Sequence, residues 1–218
     1  MKLMLRLALT LCVITSVAGL GLGLIYSATK DRIAAAEDEK TTTGLAAVLP
    51  GFEVDPRVRQ AEGLSYWIGR KEDGTVAYAF IAKRNGYSSE VQTMVGIDGE
   101  GRILGISVLF QQETPGLGAR VQEVQSNVYL GQVVLQSATD EGGDSTPWFA
   151  DQFKGLDCRK IEVRKGREWH ALSDSGKAEL LQDNAVSALS GATITTKAVT
   201  DSIEEAAKII LQAVGSKS

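Results

Sequence analysis

Residues 190–196 read Ser-Gly-Ala-Thr-Ile-Thr-Thr, a polar run with three threonines just ahead of a segment of helical periodicity. A helix start needs one capping hydroxyl. Thr195 or Thr196 would supply it, with Ser190-Gly191 as a turn. The same geometry also suits a different chemistry. A helix N-terminus presents unpaired N–H groups and the positive end of the helix dipole, so a phosphate is well placed there. A threonine hydroxyl just ahead of the helix could hold that phosphate covalently. The residue types alone leave both readings open.

A second stretch, Glu113-Thr114-Pro115-Gly116-Leu117-Gly118, reads as a rigid, tight turn. Pro115 presets its own φ, and Gly116 and Gly118 can adopt positive φ. Other familiar chemistry is missing. The chain has no G-x-x-x-x-G-K-[ST] loop, no G-x-G-x-x-G opening a helix after a strand, and no G-x-S-x-G elbow. Its single histidine, His170, excludes a His-rich metal site, lacks a Ser or Cys partner, and reads as structural. Cys12 and Cys158 are too far apart to suggest a disulfide framework or a thiolate metal site. Cys158 reads as a small buried hydrophobe. Carboxylates are scattered, so no acid/base pair stands out. No metal site and no independent catalytic set is therefore expected.

The elements that would position these stretches start with an anchor. From Leu7 to Ile25 no residue is charged; about 20 apolar residues cross a bilayer, whereas a signal-peptide apolar region runs to roughly 7–15. The run continues past the small-residue site Ser16–Ala18, and Tyr26 suits the interface. An uncleaved anchor over residues 1–28 is expected. Lys2 and Arg6 precede the span and Lys30 and Arg32 follow it, so the flanking charges tie. A short basic lead before an apolar run resembles a signal anchor, which puts the large domain outside the cytoplasm. With 218 residues and a net charge of −4, the chain can bury one sizeable domain beside that anchor. It shows no basic footprint for nucleic acid.

Residues 29–50, rich in Ala and charge, read as a membrane-proximal helix or linker ending before Pro50-Gly51. Apolar β-formers follow over Val76–Ala82, Val91–Ile97 and Ile103–Phe110, with Asp98–Gly101 turning the last two into a hairpin. A second hairpin is expected to turn at Lys165-Gly166. The stretch after Pro115-Gly116 is of mixed character, and an acidic, glycine-bearing loop precedes Trp148, Phe149 and Phe153, which should pack on the core. Val199, Ile203, Ala206, Ala207, Ile210 and Val214 form one stripe of a helix from Lys197 to Ala213. Strands followed by helices, without regular βαβ alternation, indicate an α+β fold.

Ser190-Gly191-Ala192-Thr193 followed by Ile194-Thr195, together with Glu113–Gly118, resembles the FMN-binding domain of flavoprotein subunits in ion-pumping membrane oxidoreductases. The proteins resembled are the G-type subunits of the Rnf (Rsx) electron-transport complex and their siblings, the C-type subunits of the sodium-pumping NADH:quinone oxidoreductase. Residues 86–98 also resemble a glycine-tyrosine-serine segment of that family, with Ser89 where glycine is usual. Ser187 stands where the attachment pattern usually has Asp. The resemblance implies an FMN-binding domain over 51–218, with FMN joined as a phosphoester to Thr193. Ser190, Gly191 and Ala192 would let the backbone approach the phosphate, Lys197 could pair with it, and Glu113, Thr114, Gly116, Leu117 and Gly118 would form a turn near the flavin. It also implies an electron-relay role in a ferredoxin:NAD oxidoreductase complex, with the other Rnf subunits as partners and a flavin transferase for maturation. The location implied is the bacterial inner membrane, with the flavin domain on the periplasmic side. The contrasting readings are the equivalent subunit of the sodium-pumping NADH:quinone oxidoreductase and, from a different class, a cofactor-free, membrane-anchored structural or adhesion domain.

Overall fold

The computed structural model describes residues 2–124 and 147–215. The mixed stretch and the acidic loop expected from sequence fall mainly on residues 125–146, outside the described residues. Two compact units divide between Thr42 and Thr43.

The first unit lies within a single helix, α1 (Lys2–Val48). The anchor and the membrane-proximal segment are thus one uninterrupted helix. Its most apolar window has a mean hydropathy of 2.2 and no buried residue, so α1 is long and apolar enough to cross a bilayer. Both threonine hydroxyls inside the apolar run are satisfied within the helix. Thr10 Oγ1 donates to the Arg6 carbonyl at 2.9 Å and Thr15 Oγ1 to the Leu11 carbonyl at 3.0 Å, as a lipid environment requires. The helix stops where Pro50 cannot continue it and Gly51 turns the chain at φ +76°.

The second unit is built on an antiparallel sheet of β1 (Glu53–Val54), β2 (Arg59–Ala61), β3 (Leu64–Arg70), β4 (Val76–Asn85), β5 (Glu90–Asp98) and β6 (Ile103–Phe110). The order is β1-β3-β4-β5-β6, with β2 also pairing β3. The Asp98–Gly101 hairpin forms as expected: the Asp98 carboxylate accepts the Glu100 and Arg102 N–H groups, and Gly101 turns at φ +88°. After β6 come a 3₁₀ turn (Gly118–Gln122), α2 (Trp148–Asp151), β7 (Glu162–Arg164), a 3₁₀ turn (Trp169–Ala171), α3 (Asp174–Gln182), β8 (Ala185–Ser187) and α4 (Thr193–Gly215). This is the expected α+β architecture.

The hairpin expected at Lys165-Gly166 does not form. β7 instead pairs in parallel with β8, and the chain after Gly166 enters the 3₁₀ turn. Glu168 is drawn inward to Arg120, and the Ser187 hydroxyl donates to the Arg167 carbonyl at 2.6 Å, so no returning strand is available beside β7. The connecting α3 buries only Leu180, so it has no apolar stripe for periodicity to reveal. Its start is marked instead by Ser173, whose hydroxyl accepts the Gly176 N–H.

Both faces of the sheet are covered, and period-2 alternation sorts the side chains between them. From β4, Phe80 and Ala82 join the core that contains Val199, Ile203, Ala206, Ala207 and Ile210 of α4, with Val214 packed against it. Ala77 and Ala79 face the other way, onto Val48, Leu49, Trp67 and Met94. The expected stripe of α4 is thus the buried one, and α4 itself starts four residues earlier than periodicity alone places it. Trp148, Phe149, Phe153 and Cys158 are all in the larger core. Burial pushes the Cys158 thiol up to about 11.

The end of α1 lies in a glycine-lined groove. Gly96 and Gly105 are paired across β5 and β6. A Cβ on Gly96 would sit 2.3 Å from the Val48 carbonyl oxygen, and one on Gly105 would sit 3.4 Å from that of Ala47. Gly96→Ala should therefore destabilise the domain by about 1–3 kcal/mol through overpacking. Gly99→Ala, with open space at its Cβ, serves as the control. Equal melting temperatures for the two variants would show that the helix end does not press on the sheet.

Candidate functional site

Three segments far apart in sequence meet beside the N-terminus of α4. They are the turn between β4 and β5 (residues 86–89), the stretch after β6 (111–118) and the start of α4. Glu113 sits where they meet, only 5% exposed. Its carboxylate accepts the N–H groups of Tyr87 at 3.2 Å, Ser88 at 2.9 Å and Ser89 at 3.0 Å, and the Thr195 hydroxyl at 2.6 Å. Burial alone would push this carboxyl up. The hydrogen bonds from Thr195, Ser88, Ser89 and Tyr87 outweigh it and hold the group below its ordinary value.

Gly86 and Gly118 make room for that carboxylate. A Cβ on Gly86 would lie 2.7 Å from Glu113 Oε1, and one on Gly118 would lie 2.7 Å from both Glu113 Oε2 and Thr195 Oγ1. Gly118 does not take the positive φ expected of it; close approach is what excludes a side chain there. Gly116 does take it, at φ +75°. With Pro115 before it and the Leu117 N–H donating to the Thr114 carbonyl at 3.1 Å, the loop has the pattern of a type II turn.

Residues 189–192 repeat that device. The Ala192 N–H donates to the Leu189 carbonyl at 3.0 Å, and Gly191 has φ +77°. A Cβ on Gly191 would lie 2.9 Å from Leu117 Cδ2, so the two turns pack against each other. Glu168 holds the second turn from behind. Its carboxylate takes Arg120 in a bidentate pair at 2.7 and 2.9 Å and accepts the Ser190 N–H at 2.9 Å. Burial opposes ionisation of Glu168, but the bonds from Arg120 and Ser190 dominate and hold its carboxyl at about 2. His170 lies beside this pair, with Nδ1 3.7 Å from Glu168 Oε2 and its ring against Trp148, a packing position.

The three threonines separate sharply. α4 begins at Thr193, so the run forms the helix's first turn and does not precede it. Neither expected cap forms. Thr195 is buried and donates to Glu113. Thr196 is buried, donates to the Ala192 carbonyl and accepts the Leu189 N–H. Thr193 is half-buried, and among the described residues neither its hydroxyl nor the N–H groups of Thr193, Ile194 and Thr195 have a partner. Ala192, just ahead of the helix, has no side-chain acceptor to cap them.

A cleft of about 440 Å³ opens here, lined by Tyr87, Glu113, Thr114, Leu117, Gly118, Gly191, Ala192, Thr193, Ile194 and Thr195. Of the residues singled out from sequence, seven line it: Thr193, Gly191, Ala192, Glu113, Thr114, Leu117 and Gly118. Ser190 and Gly116 are exposed and lie outside the lining, where they shape the two turns. Lys197, the fifth residue of α4, is exposed one turn after Thr193. Thr195, read from sequence only as a cap, also lines the cleft; Tyr87 and Ile194 line it, and Glu168 and Arg120 support it, without having been assigned a place at the site. Tyr87 had a signal in its place within the Gly-Tyr-Ser segment. Glu168 had none, because its partners are distant in sequence. Ser187 is buried at the end of β8, where its N–H donates to Gln152 Oε1.

The size and lining suit a small-molecule cofactor. Unpaired N–H groups and a free hydroxyl can receive a phosphate, and Leu117, Ile194 and Tyr87 offer apolar surface to an aromatic body.

The Glu168 pair also makes stability pH-dependent. A depressed carboxyl contributes above its ordinary value of 4.5 and loses that contribution as pH falls towards about 2. The melting temperature of the chain should drop across that window. Glu168→Gln should lower it at neutral pH and flatten the drop; an acid limb as steep as wild type would remove Glu168 as its source.

A family model described as FMN-binding domain matches residues 86–208. The G subunit of an ion-translocating oxidoreductase complex from Haemophilus influenzae is 29% identical over 198 residues, covering 86% of this chain and 80% of that one. The G subunit of a Na(+)-translocating ferredoxin:NAD(+) oxidoreductase complex from Acetobacterium woodii is 30% identical over 166 residues, covering 66% and 80%. A crystal structure of the C subunit of Na(+)-translocating NADH-quinone reductase from Parabacteroides distasonis aligns at a TM-score of 0.42 and 22% identity, over 65% of this chain and 58% of that one. The matched family span runs from the Gly86 turn into α4, through all three segments that Glu113 gathers, and the chain belongs to the FMN-binding domain family, with the G subunits of the ion-translocating oxidoreductase complexes as its kin.

Proposed function

We propose that this chain is the electron-carrying flavoprotein subunit of a membrane-bound, ion-translocating ferredoxin:NAD oxidoreductase complex. FMN is held covalently, as a phosphoester on Thr193. When bound, FMN supplies the redox chemistry, taking up and passing on electrons one at a time. The protein supplies attachment, orientation and shielding.

The observation that carries this reading is the separation of the three threonines. Thr195 and Thr196 are buried and committed to hydrogen bonds, whereas Thr193 opens onto the cleft with its hydroxyl uncommitted. The unpaired N–H groups of the first turn lie beside it and favour an anion. Gly191 keeps the approach to them free of a side chain, and Lys197, four residues after Thr193, adds a positive charge one turn along the helix. α1 fastens the chain to the cell membrane, and the short basic lead before its apolar run favours the globular unit on the extracytoplasmic side. The other subunits of the complex are the electron partners, and a flavin transferase attaches the cofactor.

Thr193→Ala should give a folded, colourless chain with no fluorescent band on a denaturing gel. Thr195→Ser and Thr196→Ser, which keep the buried hydrogen bonds, should stay yellow. Intact-mass measurement should show the addition of one FMN less water in wild type and not in Thr193→Ala. A fluorescent band from Thr193→Ala would end the assignment.

The orientation has its own measurement. Protease added to intact spheroplasts should digest the globular unit. Protection there, with digestion in inverted vesicles, would place it on the cytoplasmic side.

A further inference from the structure

The cleft has a polar floor and an apolar mouth. On the floor are the Glu113 carboxylate, the Thr195 hydroxyl it holds and the free N–H groups of α4. At the mouth, Tyr87 is 74% exposed, Ile194 55% and Leu117 43%. Outside α1, the exposed large hydrophobic side chains among the described residues are these three and Val58, Phe110, Val124 and Leu181. Three of seven therefore gather at one opening, and such clusters mark binding surfaces.

Each of the three is carried on fixed backbone. The Tyr87 N–H is held by Glu113, Leu117 closes the type II turn and meets Gly191, and Ile194 is the second residue of α4. Backbone held this firmly under exposed apolar side chains is a preorganised receptor, and free N–H groups beside apolar side chains suit a ligand with an anionic end and a flat apolar body. We propose that Tyr87, Leu117 and Ile194 hold the isoalloxazine ring of the flavin, and that the Tyr87 phenol stacks on that ring. This rests on the reading of Thr193 as the attachment point.

Among the three, Tyr87 is the informative one. Its ring is a flat π surface that complements another in an offset stack. A phenol is also an electron donor. Next to an excited flavin it transfers one electron to the ring and receives it back on relaxation, so emission is lost with no net reaction. The same electron-rich neighbour disfavours the reduced flavin and lowers its potential.

The test uses the full chain, produced in its own membrane with the flavin attached, as wild type and as Tyr87→Leu, Tyr87→Phe and Tyr87→Trp. Native-state flavin emission should rise severalfold in Tyr87→Leu and less in Tyr87→Phe, which stacks but donates poorly. It should stay low in Tyr87→Trp, and the midpoint potential of Tyr87→Leu should move upward. Denaturing-gel fluorescence of the same samples reports loading independently. Equal native emission from fully loaded Tyr87→Leu and wild type overturns the stacking proposal and leaves the attachment reading intact, including the case in which that variant instead loses association with the complex. Absence of a fluorescent band in wild type sinks the attachment reading itself. If Tyr87→Leu fails to load, Tyr87→Phe, which keeps the ring, decides by the same comparison.

Discussion

A buried carboxylate cannot be left short of hydrogen bonds, and Glu113 meets that requirement by collecting donors from two other parts of the chain. Three N–H groups come from the turn at residues 87–89 and a hydroxyl comes from the first turn of α4. Because all the donors converge on two oxygens, the β4–β5 turn, the stretch after β6 and the start of α4 are fixed relative to one another. The cleft is the space left between them. The clamp also sets composition nearby: Gly86 and Gly118 are glycine because the carboxylate occupies the volume a Cβ would need.

The clamp needs a rigid frame, and the two-sided sheet provides it. α4 covers one face through Val199, Ile203, Ala206, Ala207 and Ile210. The end of α1 covers the other, seated on Gly96 and Gly105. One helix therefore has two separate chemical tasks along its length. Its apolar run matches the thickness of a bilayer, and its last residues, Val48 among them, serve as core. α4 also combines two tasks, since the stripe that packs it leaves its N-terminal turn at the edge of the core, where backbone donors stay free.

Two turns of the same design, at Thr114–Leu117 and Leu189–Ala192, meet through Leu117 and Gly191. In each, a glycine takes the positive φ that a type II turn asks of its third residue. Their mutual packing defines one wall of the cleft. The Arg120–Glu168 pair holds the Ser190 backbone from outside the lining, whereas Glu113 both lines the cleft and holds its segments together.

Local spacing made much of this molecule legible. An uncharged run of bilayer length gives the anchor. Alternating β-formers give β4, β5 and β6, Asp98–Gly101 gives their hairpin, and a 3.6-residue stripe gives α4. The Thr114–Leu117 turn is equally local, because Pro115 and Gly116 carry their preferred φ values with them. Where local spacing misleads, the deciding partner is remote. The turn at Lys165-Gly166 looks like a hairpin until Glu168 is claimed by Arg120 and β7 by β8. Glu113, Tyr87 and Thr195 carry no spacing that announces they meet, since what joins them is a buried charge seeking donors, and that demand acts through space and not along the chain. By itself the sequence determined that a threonine-rich run would lead into the last helix. Only the tertiary structure decided which threonine stays free, because burial and hydrogen bonding commit Thr195 and Thr196 and leave Thr193 facing the cleft.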